Sequence, residues 1–78
     1  MKITYCNIIY RTELFDDLIA GCAGLVLLAL AQEGEIQVGK ITFWDSSGQF
    51  FIELYVNDVP LEVVERFINE AKQTVSIE

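Results

Sequence analysis

Two acidic side chains, Glu13 and Asp17, have a spacing that suits metal binding if they lie on a helix. Residues four apart on a helix face the same way, so both carboxylates can approach one divalent cation. Such an ion needs several further oxygen ligands, and the neighbouring sequence supplies no binding loop. Asp16 points about 100° away from Asp17 on a helix, so these two do not form an acid–base pair. We interpret the three acids as charges that stabilise the positive end of a helix dipole.

The two cysteines, Cys6 and Cys22, lack the surroundings that activate a thiol. A reactive cysteine needs an electropositive setting or a helix N-terminus, and the chain contains no histidine to act as a base. We expect Cys6 in a strand and Cys22 in the middle of a helix, both as small buried hydrophobic side chains.

Residues 45–48, with the sequence DSSG, have the small polar composition of a phosphate loop. They join two predicted strands and do not open a helix, so the segment is interpreted as a hairpin turn. The sequence therefore predicts no catalytic residue, no cofactor, no metal site and no enzymatic activity.

The charge balance argues against two classes of partner. The 78 residues carry twelve acidic and five basic side chains, a formal net charge of −7. Nucleic acids and anionic membranes both attract proteins through Lys and Arg, so we predict neither as a partner. The length fits a single domain over residues 1–78. The opening residues do not have the pattern of a secretion signal, which predicts a cytoplasmic location with reduced thiols.

The longest apolar run, residues 18–31, marks the expected core. It reads LIAGCAGLVLLALA, fourteen residues without a charge. A bilayer-spanning helix needs about 20 apolar residues, so this run fits a buried core helix instead. We predict that the helix begins after an N-cap at Thr12 and ends at Gly34. Because it is apolar nearly all round, we expect another layer or a partner to cover the side that carries its glycines.

Three strands and a second helix are predicted around this core helix. Residues 2–10 have the composition of a first strand, and residues 35–45 and 49–57 form a hairpin. A bulge at Gly39 would bring the apolar residues of the second strand onto one face. The second helix begins near Pro60, and its predicted buried stripe consists of Leu61, Val64, Phe67, Ile68, Ala71 and Val75. The β-prone tail, residues 74–78, is a candidate fourth edge strand.

Alternation along the third strand separates a core face from an outward face. Phe50, Ile52 and Leu54 are predicted to face the core, which leaves Phe51 and Tyr55 outward. Aromatic side chains on an uncovered sheet face are typical of a protein interface.

The predicted order is strand, helix, strand, strand, helix and an optional last strand. This is an α+β two-layer sandwich that resembles the ferredoxin-like plait, or a three-stranded variant of it. The resemblance rests on element order, and that fold supports many unrelated activities, so it implies no function.

The leading functional interpretation is a small acidic protein-interaction module that forms a homodimer or binds a different protein. Dimerisation would add buried area that so small a core lacks. The predicted interface residues are Tyr5, Gly21, Gly24, Leu28, Trp44, Phe51 and Tyr55. Two alternatives stay open: an acidic inhibitor or nucleic-acid mimic that binds a basic protein site, and a regulatory domain that senses a small molecule.

Overall fold

The computed structural model describes residues 1–75, which form one antiparallel sheet and one helix. The strands pair in chain order, so the sheet is a five-stranded meander. The elements are β1 (Lys2–Tyr5), β2 (Ile8–Asp17), β3 (Cys22–Ala31), β4 (Gly34–Trp44), β5 (Gln49–Leu54) and α1 (Leu61–Thr74). This overturns the predicted ferredoxin-like sandwich with two helices, because the protein is mostly β-sheet and α1 is the one helix of the described residues.

The predicted core helix between Thr12 and Gly34 is wrong, since the structure has a hairpin there. Residues 18–21 turn the chain between β2 and β3. The Ala20 amide donates to the Asp17 side chain at 3.0 Å, and Gly21 adopts a left-handed φ of 74°. The apolar run suggested a helix because β3, the central strand of the sheet, has apolar residues on both of its faces. Val26 and Leu28 are only half-buried on the uncovered face, so no polar alternation marks the strand in the sequence.

The predicted first strand over residues 2–10 is in fact a tight hairpin. Cys6 and Asn7 have φ values of 51° and 66°, the pair of positive angles that a two-residue type I′ turn requires. Cys6 is therefore exposed in a turn, which corrects the prediction that it is buried in a strand. Cys22 is buried as expected, but in a strand.

The bulge predicted at Gly39 is confirmed. Leu27 pairs with Gly39 and Leu28 pairs with Gln37, so Val38 is the extra residue of β4. Val38 turns into the core and is buried. Gly39 makes room for the helix, because a Cβ atom there would lie 3.5 Å from the Phe67 ring and 3.0 Å from a Leu54 methyl group.

One face of the sheet packs against α1 and forms the core. The helix crosses the central strand β3. Buried side chains from both layers form one cluster: Tyr10, Leu25, Leu27, Ala29, Val38, Ile41, Val63, Phe67 and Ala71. The second face of the sheet has no covering layer among residues 1–75.

The C-terminal helix is confirmed, with a corrected orientation. It follows Pro60 as predicted. The predicted buried stripe included Leu61 and Val64, but Leu61 is 73% exposed, and the buried residues are Val63, Phe67 and Ala71. The helix ends at Thr74, which overturns a strand at that position, and residues 76–78 of the predicted tail strand lie outside the described residues.

Candidate interaction surface at the β5 edge

The outer side of β5 is a sheet edge without a neighbouring strand in the described chain. The Tyr55 amide donates to the Val38 carbonyl oxygen at 3.0 Å, which continues the β4–β5 register. In an antiparallel ladder, backbone groups point alternately toward and away from the neighbouring strand. The N–H and C=O groups of Phe50, Ile52 and Leu54 therefore point outward to the free edge.

The side chains along this edge are mostly large and apolar. The exposed fractions are 53% for Phe51, 46% for Ile52, 46% for Leu54 and 50% for Tyr55. Proteins usually protect sheet edges with proline, lysine or a bulge, and β5, with the sequence QFFIEL, has none of these. The edge combines available hydrogen-bonding groups with apolar side chains, which are the two requirements for accepting another strand.

The second free edge of the sheet is protected. β1 pairs only with the first four residues of β2, so the backbone of residues 13–17 lacks a β1 partner. Three acids, Glu13, Asp16 and Asp17, lie within these five positions. Charged side chains of this density oppose strand addition. β1 itself is only four residues long and begins with Lys2, two features that also protect an edge, so β5 is the longer and less protected edge.

An apolar groove runs between β5 and α1 on the helix-covered side. Its volume is about 140 Å³. The lining residues are Ile41, Phe50, Phe51, Ile52, Ile68, Ala71 and Lys72. Phe50 lies in this groove, and its ring packs against the Phe43 ring with centroids 5.0 Å apart. Side chains of an added strand would extend along this groove.

The charges beside β5 are balanced. Glu53 is the one acid of the strand, and Lys40 lies directly opposite it on β4. Lys72 lines the groove. Burial, followed by the nearby Glu53 carboxylate, raises the pKa of Tyr55, so its hydroxyl is protonated at neutral pH. The surplus of negative charge lies elsewhere on the molecule.

On the uncovered face, an aromatic row crosses the sheet next to this edge. Phe15, Gly24, Thr42 and Phe51 are successive cross-strand partners from β2 to β5. The Phe15 ring lies over Gly24, and the Lys40 ammonium lies 4.8 Å from the centre of that ring. Thr42 is buried beside these neighbours, although no second layer covers it within residues 1–75.

The uncovered face carries an ion cluster between β2 and the start of β4. Arg11 Nε lies 2.7 Å from Glu35, and Arg11 Nη1 lies 2.5 Å from Glu13. Hydrogen bonds to both carboxylates raise the pKa of Arg11, and the hydrogen bond from Arg11 lowers the pKa of Glu35. Packing a partner onto this face would remove three charges from water, which is costly.

A third exposed apolar cluster lies at the β2–β3 hairpin tip. Leu18 and Ile19 project from the turn, with Leu14 exposed nearby on β2. Asp16 and Asp17 flank them. Leu18 and Ile19 form the turn and offer no strand edge, while Leu14 lies in the acidic part of β2, where strand addition is opposed.

The structure brings together only some of the predicted interface residues. Trp44 and Phe51 lie on the uncovered face near the β5 edge, and Tyr55 follows β5 directly. Gly21 is near Trp44, because its carbonyl accepts from the Asp45 amide in the adjacent turn. Leu28 lies farther along β3, opposite Arg11.

Two predicted interface residues have other positions. Tyr5 lies on β1, at the far edge of the sheet from β5. Gly24 is buried within β3 and not on a helix surface. Sequence reasoning missed Ile52 and Leu54, since alternation correctly placed them on the core face but did not show that this face ends at an open edge.

The acidic pair considered for metal binding lies on β2. Glu13 binds Arg11, and the Asp17 carboxylate accepts from the Ala20 amide in the hairpin turn. Within residues 1–75, no three Cys, Asp or Glu side chains are grouped in a way that could hold a metal ion. In the same part of the chain, no helix combines the length and apolar character needed to cross a membrane.

Comparison with known proteins found no matching family model, no matching curated protein and no matching solved structure.

Proposed function

We propose that this protein is a small non-enzymatic interaction module that binds an extended protein segment by adding it to the sheet beside β5. The observation that carries the proposal is the free, apolar and unprotected edge of β5. A strand added there would accept and donate hydrogen bonds at Phe50, Ile52 and Leu54. The cytoplasmic location is kept as a prediction from the sequence.

Two parts of the surface would contribute different kinds of selectivity. The backbone edge supplies affinity that does not depend on sequence, while pockets for alternate side chains supply specificity. On the helix side, the groove between β5 and α1 accepts apolar side chains. On the uncovered side, Phe51 and the Lys40–Glu53 pair face the added strand. A ligand with alternating apolar and polar residues fits both sides.

The acidic-inhibitor alternative is not supported by the placement of charge. The acids of the described residues are spread over β2, β4, β5, α1 and the three connections that follow β3, β4 and β5. A mimic of nucleic acid would need them on one surface that faces a basic partner. The interaction module is therefore the function that we propose.

The proposal is tested with displayed peptides and an edge-blocked variant. Random extended peptides are selected on the wild-type protein, attached sparsely to a surface. The affinity of the selected peptides is then measured for the Ile52→Pro variant, which lacks one outward N–H but keeps every hydrogen bond to β4. Ile52→Ala is the matched control, because it loses the side chain and keeps the N–H.

The expected result is a set of alternating peptides that bind the wild type and Ile52→Ala but lose at least tenfold in affinity for Ile52→Pro. Circular dichroism must show that both variants are folded. Selected peptides that bind all three proteins equally, or a selection without binders, would overturn binding by strand addition.

A further inference from the structure

We infer that the segment bound at this edge is β5 of a second copy of the chain, related by a two-fold axis through Ile52. The two sheets then join into one continuous ten-stranded sheet with both helices on the same side. This inference rests on the proposed function, because it names the partner of the same edge. It follows from the register, the side-chain pairs and the local charge of β5.

Symmetry restricts the registers that two antiparallel β5 strands can adopt. A two-fold axis perpendicular to the sheet keeps each face on its own side, so a residue on the axis pairs with its own copy. Bonds form only between outward-pointing residues, which are Phe50, Ile52 and Leu54. The axis can then pass through any residue of the strand, and the most central positions are Phe51, Ile52 and Glu53.

Only the axis through Ile52 uses all three outward-pointing residues within the strand. Ile52 pairs with its own copy, and Phe50 pairs with Leu54 of the second copy; each such pair exchanges backbone hydrogen bonds. An axis through Phe51 would instead pair Leu54 with Gly48, which lies in the turn with a φ of 65°. An axis through Glu53 would place two carboxylates directly opposite each other, which destabilises a sheet.

The side chains in this register are compatible on both faces. On the helix side, the opposed pairs are entirely apolar, and they extend the groove lined by Ile68 and Ala71. On the uncovered side, Phe51 lies opposite Glu53 of the second copy, and Lys40 remains next to Glu53 on its own chain. No pair of like charges lies directly opposite in this arrangement.

Edge pairing also avoids the desolvation that face-to-face packing would require. The Arg11 cluster with Glu13 and Glu35 stays in water when two sheets join side by side. The acidic edge of β2 lies on the far side of each sheet from the joint. The second copy therefore meets the protein at a place where its charges are balanced, although each chain carries a net charge of −7.

The register is tested by disulfide cross-linking. In the proposed dimer, residues 51 and 53 of opposite chains are directly opposed at a Cα separation of about 4.5 Å, which a disulfide can bridge. Phe51→Cys and Glu53→Cys are prepared in a Cys6→Ser background, mixed and gently oxidised. As a first control, each variant is oxidised alone. As a second control, Gln49→Cys is mixed with Glu53→Cys, because these two residues are directly opposed only if the axis passes through Phe51.

We expect a mixed 51–53 dimer as the main product and little dimer from either variant alone or from the 49–53 mixture. Sedimentation of the unmodified wild type should show a monomer–dimer equilibrium that Ile52→Pro abolishes. Ile52→Ala, which loses apolar contacts but keeps the N–H, should weaken this equilibrium without abolishing it. A preferred 49–53 product, or cross-linking that does not depend on position, would overturn the register.

A wild type that sediments as a monomer at every concentration would overturn the second copy as partner. This result is distinguishable from failure of the proposed function, because the peptide selection is scored separately. If peptides bind a monomeric wild type but do not bind Ile52→Pro, strand addition is still supported, and its partner is a different protein.

Discussion

Gly24 occupies a position that no other residue fits. A Cβ atom there would overlap the Ile41 carbonyl oxygen and lie 2.9 Å from the Phe15 ring. The Ile41 carbonyl group belongs to the backbone and cannot move without disturbing the hydrogen bonds between β3 and β4. The Phe15 ring occupies the space on β3 that a side chain at Gly24 would fill. Gly24 therefore sets the close approach of two central strands, and it does not form an interface itself.

We expect Gly24→Ala to lower the free energy of unfolding by about 1–3 kcal/mol, the usual range for overpacking a core. Urea denaturation followed by circular dichroism measures this. Gly21→Asn is the control, because a side chain at Gly21 meets open space and asparagine tolerates its positive φ. Equal stability of Gly24→Ala and the wild type would contradict the close approach.

At the scale of the elements, α1 is held by one narrow face. Phe67 is fully buried against the sheet, and it fills the space that the β-bulge and Gly39 leave. Glu70, one turn later, accepts from the Thr12 hydroxyl at 2.9 Å and from the Met1 amino group at 3.0 Å. The helix is thus anchored to β2 and to the start of the chain as well as to the core.

We expect Phe67→Ala to lower the free energy of unfolding by about 3–5 kcal/mol, the range for truncating a buried phenylalanine to alanine. A chain of 78 residues has a total stability of roughly 4–12 kcal/mol, so this variant should be largely unfolded or strongly destabilised. Leu61→Ala on the same helix should change stability by less than about 0.5 kcal/mol, since Leu61 is exposed. Thermal unfolding compares the two. A larger effect at Leu61 would mean that the helix presents another face to the sheet.

The sequence predicts the elements after Gly34 and fails before it, for a physical reason. In β4, β5 and α1, strand alternation, the turn composition of residues 45–48 and Pro60 each point to one structure. In residues 12–31 the helical and strand patterns compete, because leucine and alanine favour helices and β3 is apolar on its uncovered face as well as on its core face. The turns with positive φ at Cys6–Asn7 and at Gly21 form the β1–β2 and β2–β3 hairpins. Neither turn has the Asn-Gly sequence that is typical of a hairpin, so the sequence does not reveal them.

The candidate site was predictable only in part, because an edge is a property of the whole sheet. The aromatic residues Phe51 and Tyr55 stand out from the sequence as outward-facing. Whether Ile52 is covered depends on the number and order of strands, since the same residue would be buried in a central strand. Because β5 is the last strand of the meander in the described part of the chain, its outer backbone groups have no neighbouring strand there and are free to bind a partner.

At the scale of the whole molecule, net charge and local charge act in opposite directions. Two copies of a chain with a net charge of −7 repel each other at a distance, while the β5 edges meet without opposed like charges. Salt screens the long-range repulsion, with a Debye length of about 10 Å at 0.1 M and about 3 Å at 1 M. The short-range hydrogen bonds and apolar contacts of paired strands are affected far less.

Self-association should therefore strengthen as sodium chloride is raised from about 0.1 M to about 1 M. Sedimentation velocity measures the dissociation constant at each salt concentration. Ile52→Pro should remain monomeric throughout, which separates edge pairing from salt-induced aggregation. Weaker association at high salt would mean that attraction between opposite charges holds the copies together, and the balanced β5 edge would then not be the site of contact.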